Sequence, residues 1–215
     1  MTMHDGIKGR IKSLYAITPT GLDTASLKRD VVAVLAGGVR LLQYRQKGKA
    51  YDLQALEARE LNRLCAAYNA NLIINDNVRL ALEIDAAGVH LGRDDMSVAD
   101  ARRLLGANKI IGVSCYNQIA LAEAAVAAGA DYIAFGAFFS SQVKPHAVHA
   151  DLAIIVQAKT KFHIPIVAIG GITLQNAPQL IHAGADAIAV ISDLFNAPDI
   201  TAQARAFQQL FVEKT

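Results

Sequence analysis

Residues 183–192 read AGADAIAVIS: a small-residue turn around Gly184, an apolar run from Ala187 to Ile191, then the hydroxyl of Ser192. The same phrase recurs at 128–131, where Ala-Gly-Ala-Asp precedes Tyr132–Phe138, and looser versions stand at 36–39 (Ala-Gly-Gly-Val) and 86–89 (Ala-Ala-Gly-Val). In each, glycine is expected to let the chain leave a helix through a left-handed cap and turn tightly into a strand. Working outward, strands are expected near Leu14–Thr18, Leu41–Arg45, Leu72–Asn75, Gly88–Gly92, Ile110–Cys115, Tyr132–Phe138, Ile166–Gly170 and Ala187–Ser192. Helical patterns follow near Ser26–Ala36, Asp52–Tyr68, Asn77–Leu82, Ser97–Leu104, Ile119–Ala127, Leu152–Lys159, Leu174–Ile181 and Ala202–Val212. Strand and helix alternate throughout, which calls for a parallel sheet with helical crossovers. Eight such units point to an α/β fold, a (β/α)8 TIM barrel in which residues 1–215 form a single catalytic domain; an open doubly wound sheet shares the bare pattern.

The bulk numbers agree with that fold. A chain of 215 residues is long enough for a barrel that needs roughly 200. Hydrophobic residues make up 53%, mostly small and branched aliphatics, as parallel strands buried on both faces require. A net charge of +2 with scattered Lys and Arg argues against a nucleic-acid partner. Two cysteines, Cys65 and Cys115, stand far apart without metal-like spacing, which suggests a reducing compartment or unpaired core thiols. No apolar run reaches the ~18 residues of a membrane span, and Met1–Arg10 is polar, so a cytoplasmic location without membrane contact is expected. Apolar outer helices could form a homodimer face.

In barrels of this kind, function gathers at the C-terminal ends of the strands. The second strand runs into Gln43-Tyr44-Arg45-Gln46-Lys47, where alternation sets Gln43, Arg45 and Lys47 on one side. An amide and two cations at the barrel mouth suit the oxygens of a phosphate or diphosphate. The third strand ends in Asn75-Asp76-Asn77; Asn77 can cap the next helix, which frees Asp76 to serve as a metal ligand or base. Asp94-Asp95 follow the fourth strand, and a carboxylate there could converge with Asp76 on Mg2+ or could equally belong to the start of a helix. His90 is expected inside the barrel as a structural residue. Ser114 could donate to phosphate, and Cys115 is expected to pack. The stretch Phe139–Ala150 is the longest irregular segment, and its Ser140, Ser141 and Lys144 offer a second anion cradle. Gly170-Gly171 after the seventh strand and Ser192 after the eighth fit a phosphate held by backbone N–H groups.

Gln43-x-Arg45-x-Lys47, Ile74-Asn75-Asp76, Val89-His90-Leu91-Gly92 with Asp95, Ile111-Gly112-x-Ser114, Phe135-Gly136 with Lys144-Pro145, and Ala168-Ile169-Gly170-Gly171-Ile172 together resemble the thiamine-phosphate synthase family. The likeness runs from Tyr15 to about Phe195. It implies a transferase that joins 4-amino-2-methyl-5-hydroxymethylpyrimidine diphosphate to a thiazole phosphate, with or without a carboxylate on the thiazole, and releases diphosphate. It implies that Gln43, Arg45, Lys47, Asn75, Ser114 and Lys144 bind the pyrimidine diphosphate, with Tyr44 and Gln46 in the same segment. Arg45, Lys47, Ser114 and Lys144 would act in catalysis, and Asp76 and Asp95 would hold Mg2+. Ser141 and Val143, flanking Gln142, fall where the thiazole carboxylate would bind; Gly171, Ile191 and Ser192 fall where its phosphate would sit. A thiazole tautomerase on the same barrel and a non-catalytic phosphate-metabolite binding protein are the alternatives.

One position departs from the family pattern: Val143 stands where a second hydroxyl residue is usual. A hydrogen bond lost to a charged group costs about 1.5–3 kcal/mol, roughly tenfold to a hundredfold in binding. Either Ser140 compensates or the chain prefers a thiazole without the carboxylate. Val143→Thr is expected to shift kcat/KM toward the carboxylated thiazole; an unchanged preference would remove the idea.

Overall fold

Each of the eight apolar runs expected as strands becomes one, because short segments rich in Ile, Val, Leu and Ala bury both faces when helices cover one side and a barrel interior the other. The computed structural model describes Gly9, residues 11–140 and residues 148–212. Its strands are β1 (Ser13–Ile17), β2 (Leu41–Tyr44), β3 (Asn71–Asn75), β4 (Gly88–Leu91), β5 (Ile110–Tyr116), β6 (Tyr132–Phe135), β7 (Ile166–Ile169) and β8 (Ala187–Val190). They pair in sequence order, all parallel, and β8 closes on β1 with Tyr15 opposite Ala189. The barrel is therefore closed, and the open sheet is excluded.

Helices α1 (Thr24–Ala36), α2 (Tyr51–Ala67), α3 (Val78–Glu83), α4 (Val98–Leu105), α5 (Ile119–Ala127), α6 (Ala153–Lys161), α7 (Ala177–Ala183), α8 (Ser192–Phe195) and α9 (Ile200–Val212) complete the described elements. The expected boundaries hold within a few residues, with three informative exceptions. First, α7 starts at Ala177 instead of Leu174, because Thr173 and Asn176 exchange hydrogen bonds in a turn ahead of it. Second, Ser192 does not end a strand but opens the unanticipated one-turn helix α8. Third, β6 stops at Phe135. Beyond it, the amides of Phe138 and Phe139 still donate to Ile169 and Gly170.

The alternation of each strand separates two cores. Leu14, Ala16, Leu42, Leu72, Ile74 and Ile188 point outward into the layer beneath the helices. Tyr15, Ile17, Leu41, Ile73, Ile110, Tyr132 and Val167 point inward, together with Ala134, Ala187 and Ala189. The inward alanines on β6 and β8 leave space where Tyr15 and Tyr132 fill it elsewhere. The cysteines are free and packed in the outer core, and burial pushes both thiols up to about 12, which disfavours the thiolate.

The repeat at the N-terminal face is used differently from its expected role at one position. Gly38, Gly129 and Gly184 do take positive φ as the chain turns into the next strand. Gly88 does not. It lies within β4, and the left-handed residue there is Asp85 at φ 55°. What Gly88 supplies is close approach, since a Cβ on it would stand 2.0 Å from the carbonyl oxygen of Ile110. The repeated aspartates carry a further job. Asp131 accepts the amide of Ile111 at 2.7 Å and pairs with Arg102; Asp186 accepts the amide of Ile166 at 2.8 Å and pairs with Lys159. Each latches the start of the preceding strand.

At the opposite face, buried Glu57 on α2 ties the loops after β1 and β2 together. It accepts from Thr24 at 2.6 Å, from Lys49 at 2.6 Å and from Tyr44 at 2.7 Å, while Lys49 also donates to the carbonyl of Leu22. Burial raises its carboxyl pKa, but the Lys49, Thr24 and Tyr44 donors outweigh burial and hold it below the usual value. A carboxylate depressed by folding contributes stability above its unfolded pKa and loses it as pH falls through the folded value. Among the described residues, no helix is long and apolar enough to cross a membrane. Glu57→Gln should cost about 3 kcal/mol near neutrality and flatten the acid limb of the stability profile, as read by urea unfolding from pH 7 to 3. An unchanged acid limb would show that Glu57 gains nothing from its partners.

Candidate active site

The barrel mouth holds a cavity of about 900 Å3, within the range that encloses small metabolites. Inward alternation delivers Gln43 from β2, Asn75 from β3, His90 from β4 and Ser114 from β5 to one wall, and Arg45 joins them just past β2. Gly171, Ile191 and Ser192 line the opposite wall. Four residues of the expected diphosphate set thus share one cavity with the three expected on the opposite side, while Lys47 does not line it.

The charged rim lies beside them. Lys47, largely exposed, is 3.6 Å from the carboxylate of Asp76. Asp76 follows β3 with φ 62°, and the amide of Asn77 donates across it to the carbonyl of Asn75 at 2.7 Å, a γ-turn of the less common hand. Asn77 caps α3 by accepting from the Leu80 amide, so the helix start does not need Asp76. Burial raises the Asp76 pKa first and the neighbouring Asp95 carboxylate raises it further, against a smaller opposing pull from Lys47. Asp95 accepts the Gly92 amide at 2.6 Å; it is Ser97 that caps α4. Among the described residues, no cluster of three or more His, Cys, Asp or Glu side chains is gathered for a metal. Two crowded carboxylates beside a cavity lined by Arg45 and Ser114 nonetheless fit a hard cation such as Mg2+, which commonly takes one or two carboxylates and completes its shell with phosphate oxygens and water.

The wall formed after β7 and β8 depends on glycine. Gly170 and Gly171 have φ of 106° and 62°. A Cβ on Gly171 would stand 2.5 Å from the carbonyl oxygen of Ser140. Asn176 donates to the Gly171 carbonyl at 3.0 Å, while Asp193 accepts from the Leu174 amide and from Gln203. The loops after β7 and β8 are therefore bound to each other and to α9.

Three expected binding residues do not line the cavity: Lys47 on the rim, Tyr44 and Gln46. Tyr44 alternates outward and donates to Glu57, so its side chain faces the helix layer and supports the loop instead of lining the cavity. Gln46 is half-buried and does not line it either. Ser141, Gln142, Val143 and Lys144 lie outside the described residues. His90 sits inside the barrel as expected but also lines the cavity, its Nε2 2.9 Å from Ser114 Oγ. Tyr15, Thr173, Asn196 and Gln203 are wall residues that the strand-end reading passed over. Only Tyr15 carried a signal, as a polar group on the inward phase of an apolar strand.

Fold and site define a (β/α)8-barrel protein with a cavity of metabolite size at its C-terminal mouth. Comparison with known proteins is specific. A family model described as thiamine monophosphate synthase matches residues 14–194, and the chain belongs to that family. A thiamine-phosphate synthase of Methylobacillus flagellatus is 54% identical over 201 residues, 94% of this chain and 96% of its own length. One from Chromobacterium violaceum is 53% identical over 202 residues, covering 94% and 97%. The solved thiamine phosphate pyrophosphorylase from Pyrococcus furiosus superposes with a TM-score of 0.84 at 31% identity, covering 96% of this chain and 98% of that one.

If Asp76 serves charge neutralisation more than folding, Asp76→Ala should lower turnover by about a hundredfold or more with little change in Tm. Retained turnover with a lowered Tm would assign Asp76 to the turn alone.

Proposed function

We propose that the chain is a thiamine-phosphate synthase, a transferase that joins 4-amino-2-methyl-5-hydroxymethylpyrimidine diphosphate to a thiazole phosphate and releases diphosphate. The observation that carries this reading is the pair of opposed walls in one cavity. Gln43, Arg45, Asn75 and Ser114 face Gly171, Ile191 and Ser192 across about 900 Å3, enough for two small substrates side by side. The names of the relatives support the same reaction.

On this reading Arg45, Lys47, Ser114 and Lys144 take the diphosphate, while Gln43 and Asn75 hold the same substrate's other end. The backbone at Gly171, Ile191 and Ser192 takes the thiazole phosphate. Ser141, Gln142 and Val143 belong to the stretch that would meet the rest of the thiazole. Mg2+ held by Asp76 and Asp95 would supply further neutralisation of diphosphate charge. Diphosphate leaves poorly until that charge is offset, and the cations offset it most as the methylene C–O bond breaks, its electron pair passing to the departing oxygen. The aminopyrimidine delocalises the positive charge left on carbon. The thiazole nitrogen then donates its lone pair to form the new C–N bond. No protein nucleophile or dedicated base is required. We further infer a single catalytic domain over residues 1–215, working in the cytoplasm on small molecules, with the outer helices available to form a homodimer.

The test mixes both substrates with Mg2+ and follows diphosphate and thiamine phosphate. Both products should appear in equal amounts and should fall away in chelator. Isomerised thiazole without diphosphate release would favour a tautomerase, and thiazole phosphate bound without turnover would leave a binding protein.

A further inference from the structure

Beneath the anion-binding wall, five polar side chains from five strands form one unbroken file across the barrel interior. Gln43 Nε2 donates to the Tyr15 hydroxyl at 2.8 Å. Tyr15 and Tyr132 hydroxyls are 2.9 Å apart. The Tyr132 hydroxyl is 2.9 Å from His90 Nδ1, and His90 Nε2 is 2.9 Å from Ser114 Oγ. Tyr132 is fully buried and does not line the cavity; Gln43 is 2% exposed and Tyr15 1%. The rings reinforce the geometry. Tyr15 and Tyr132 meet edge to face, and His90 stacks on Tyr132 with centroids 5.6 Å apart.

Such a file has a direction. Burial pushes both phenols well above their ordinary range, so each keeps its proton and has one to give. Tyr15 oxygen already accepts from Gln43, which sends the Tyr15 proton to Tyr132 and the Tyr132 proton to His90 Nδ1. A neutral imidazole with an accepting Nδ1 carries its proton on Nε2, facing Ser114. Ser114 Oγ accepts that proton's hydrogen bond, and its own hydrogen is turned elsewhere. Were the file reversed, Tyr15 would receive protons from both Gln43 and Tyr132, and its own would have no acceptor within the file.

We propose that the file Gln43–Tyr15–Tyr132–His90 fixes the Nε2–H tautomer of His90 and thereby makes Ser114 a committed hydrogen-bond donor to an anionic oxygen in the cavity. Tyr132 and His90 are positioning residues in this scheme; they act on the anion only through Ser114. The proposal rests on the reading of Ser114 as an anion contact given above. A hydroxyl held as donor forms a charge-assisted bond with an anion, whereas one whose proton is drawn to His90 presents lone pairs and repels it.

The test has two arms. Nitrogen-15 NMR of ring-labelled histidine in the wild-type protein, with the His90 signal assigned by its loss in His90→Gln, should show Nε2 protonated and Nδ1 bare. The pattern should hold with and without inorganic diphosphate and Mg2+. A proton on Nδ1, or on both nitrogens, would overturn the proposal. In the second arm, calorimetry measures inorganic diphosphate binding to Tyr132→Phe, Ser114→Ala and the double variant. Tyr132→Phe should weaken binding about tenfold in the wild-type background and have no further effect once Ser114 is absent. Penalties that multiply in the double variant would mean that Tyr132 acts by packing alone, and would sink the proposal. If Tyr132→Phe does not fold, the wild-type spectrum decides. A reversed tautomer in an active synthase rejects the file but not the synthase reading; the stated tautomer in a chain without synthase turnover does the opposite.

Discussion

A closed parallel barrel turns alternate side chains of every strand into one enclosed space, and any polar group sent there must find its partner inside. This constraint organises the molecule. Gln43, Tyr15, Tyr132, His90 and Ser114 lie on five different strands, yet each hydrogen-bonds the next. Among the described residues, no buried side-chain nitrogen or oxygen lacks a partner. Leaving one such group unpaired costs about 1–3 kcal/mol, so these strands are bound to one another by their polar residues as well as by their apolar ones. The same residues end at the cavity, and the requirement that stabilises the interior thereby also orients the site.

The two ends of the barrel divide stability from chemistry. At the N-terminal face, Asp131 and Asp186 satisfy the first amides of neighbouring strands and are themselves held by Arg102 and Lys159. At the C-terminal face the charges are less complete. Asp76 and Asp95 crowd each other, Lys47 reaches Asp76 only at 3.6 Å, and the segments after β2 and β3 are braced by Glu57 and Asn77. Bracing residues hold these charges in place although they do not satisfy one another fully.

Much of this was legible in the sequence. Short apolar runs between helical patterns mark eight strands, and polar residues at the ends of those runs mark the site, because burial and function demand different residue types at adjacent positions. Gln43, Arg45, Asn75, Ser114, Gly171 and Ser192 were placed in that way and do share one cavity. Tyr44 and Gln46 adjoin wall residues in sequence but do not line the cavity; Tyr44 is turned to the helix layer by the two-residue period of the strand. Gly88 matched the repeat by letter, but its turn is made by Asp85.

The sequence by itself determined the periodicities, and through them the strands, the helices, the barrel class and the side of each strand that faces inward; these depend on neighbours a few residues apart. Only the tertiary structure decided which inward groups meet. Tyr15 and Tyr132 are separated by 117 positions, and Gln43 and Tyr15 by 28. Their pairing is set by strand register and by closure of β8 on β1, which depend on packing summed around the whole barrel and not on any local run of residues.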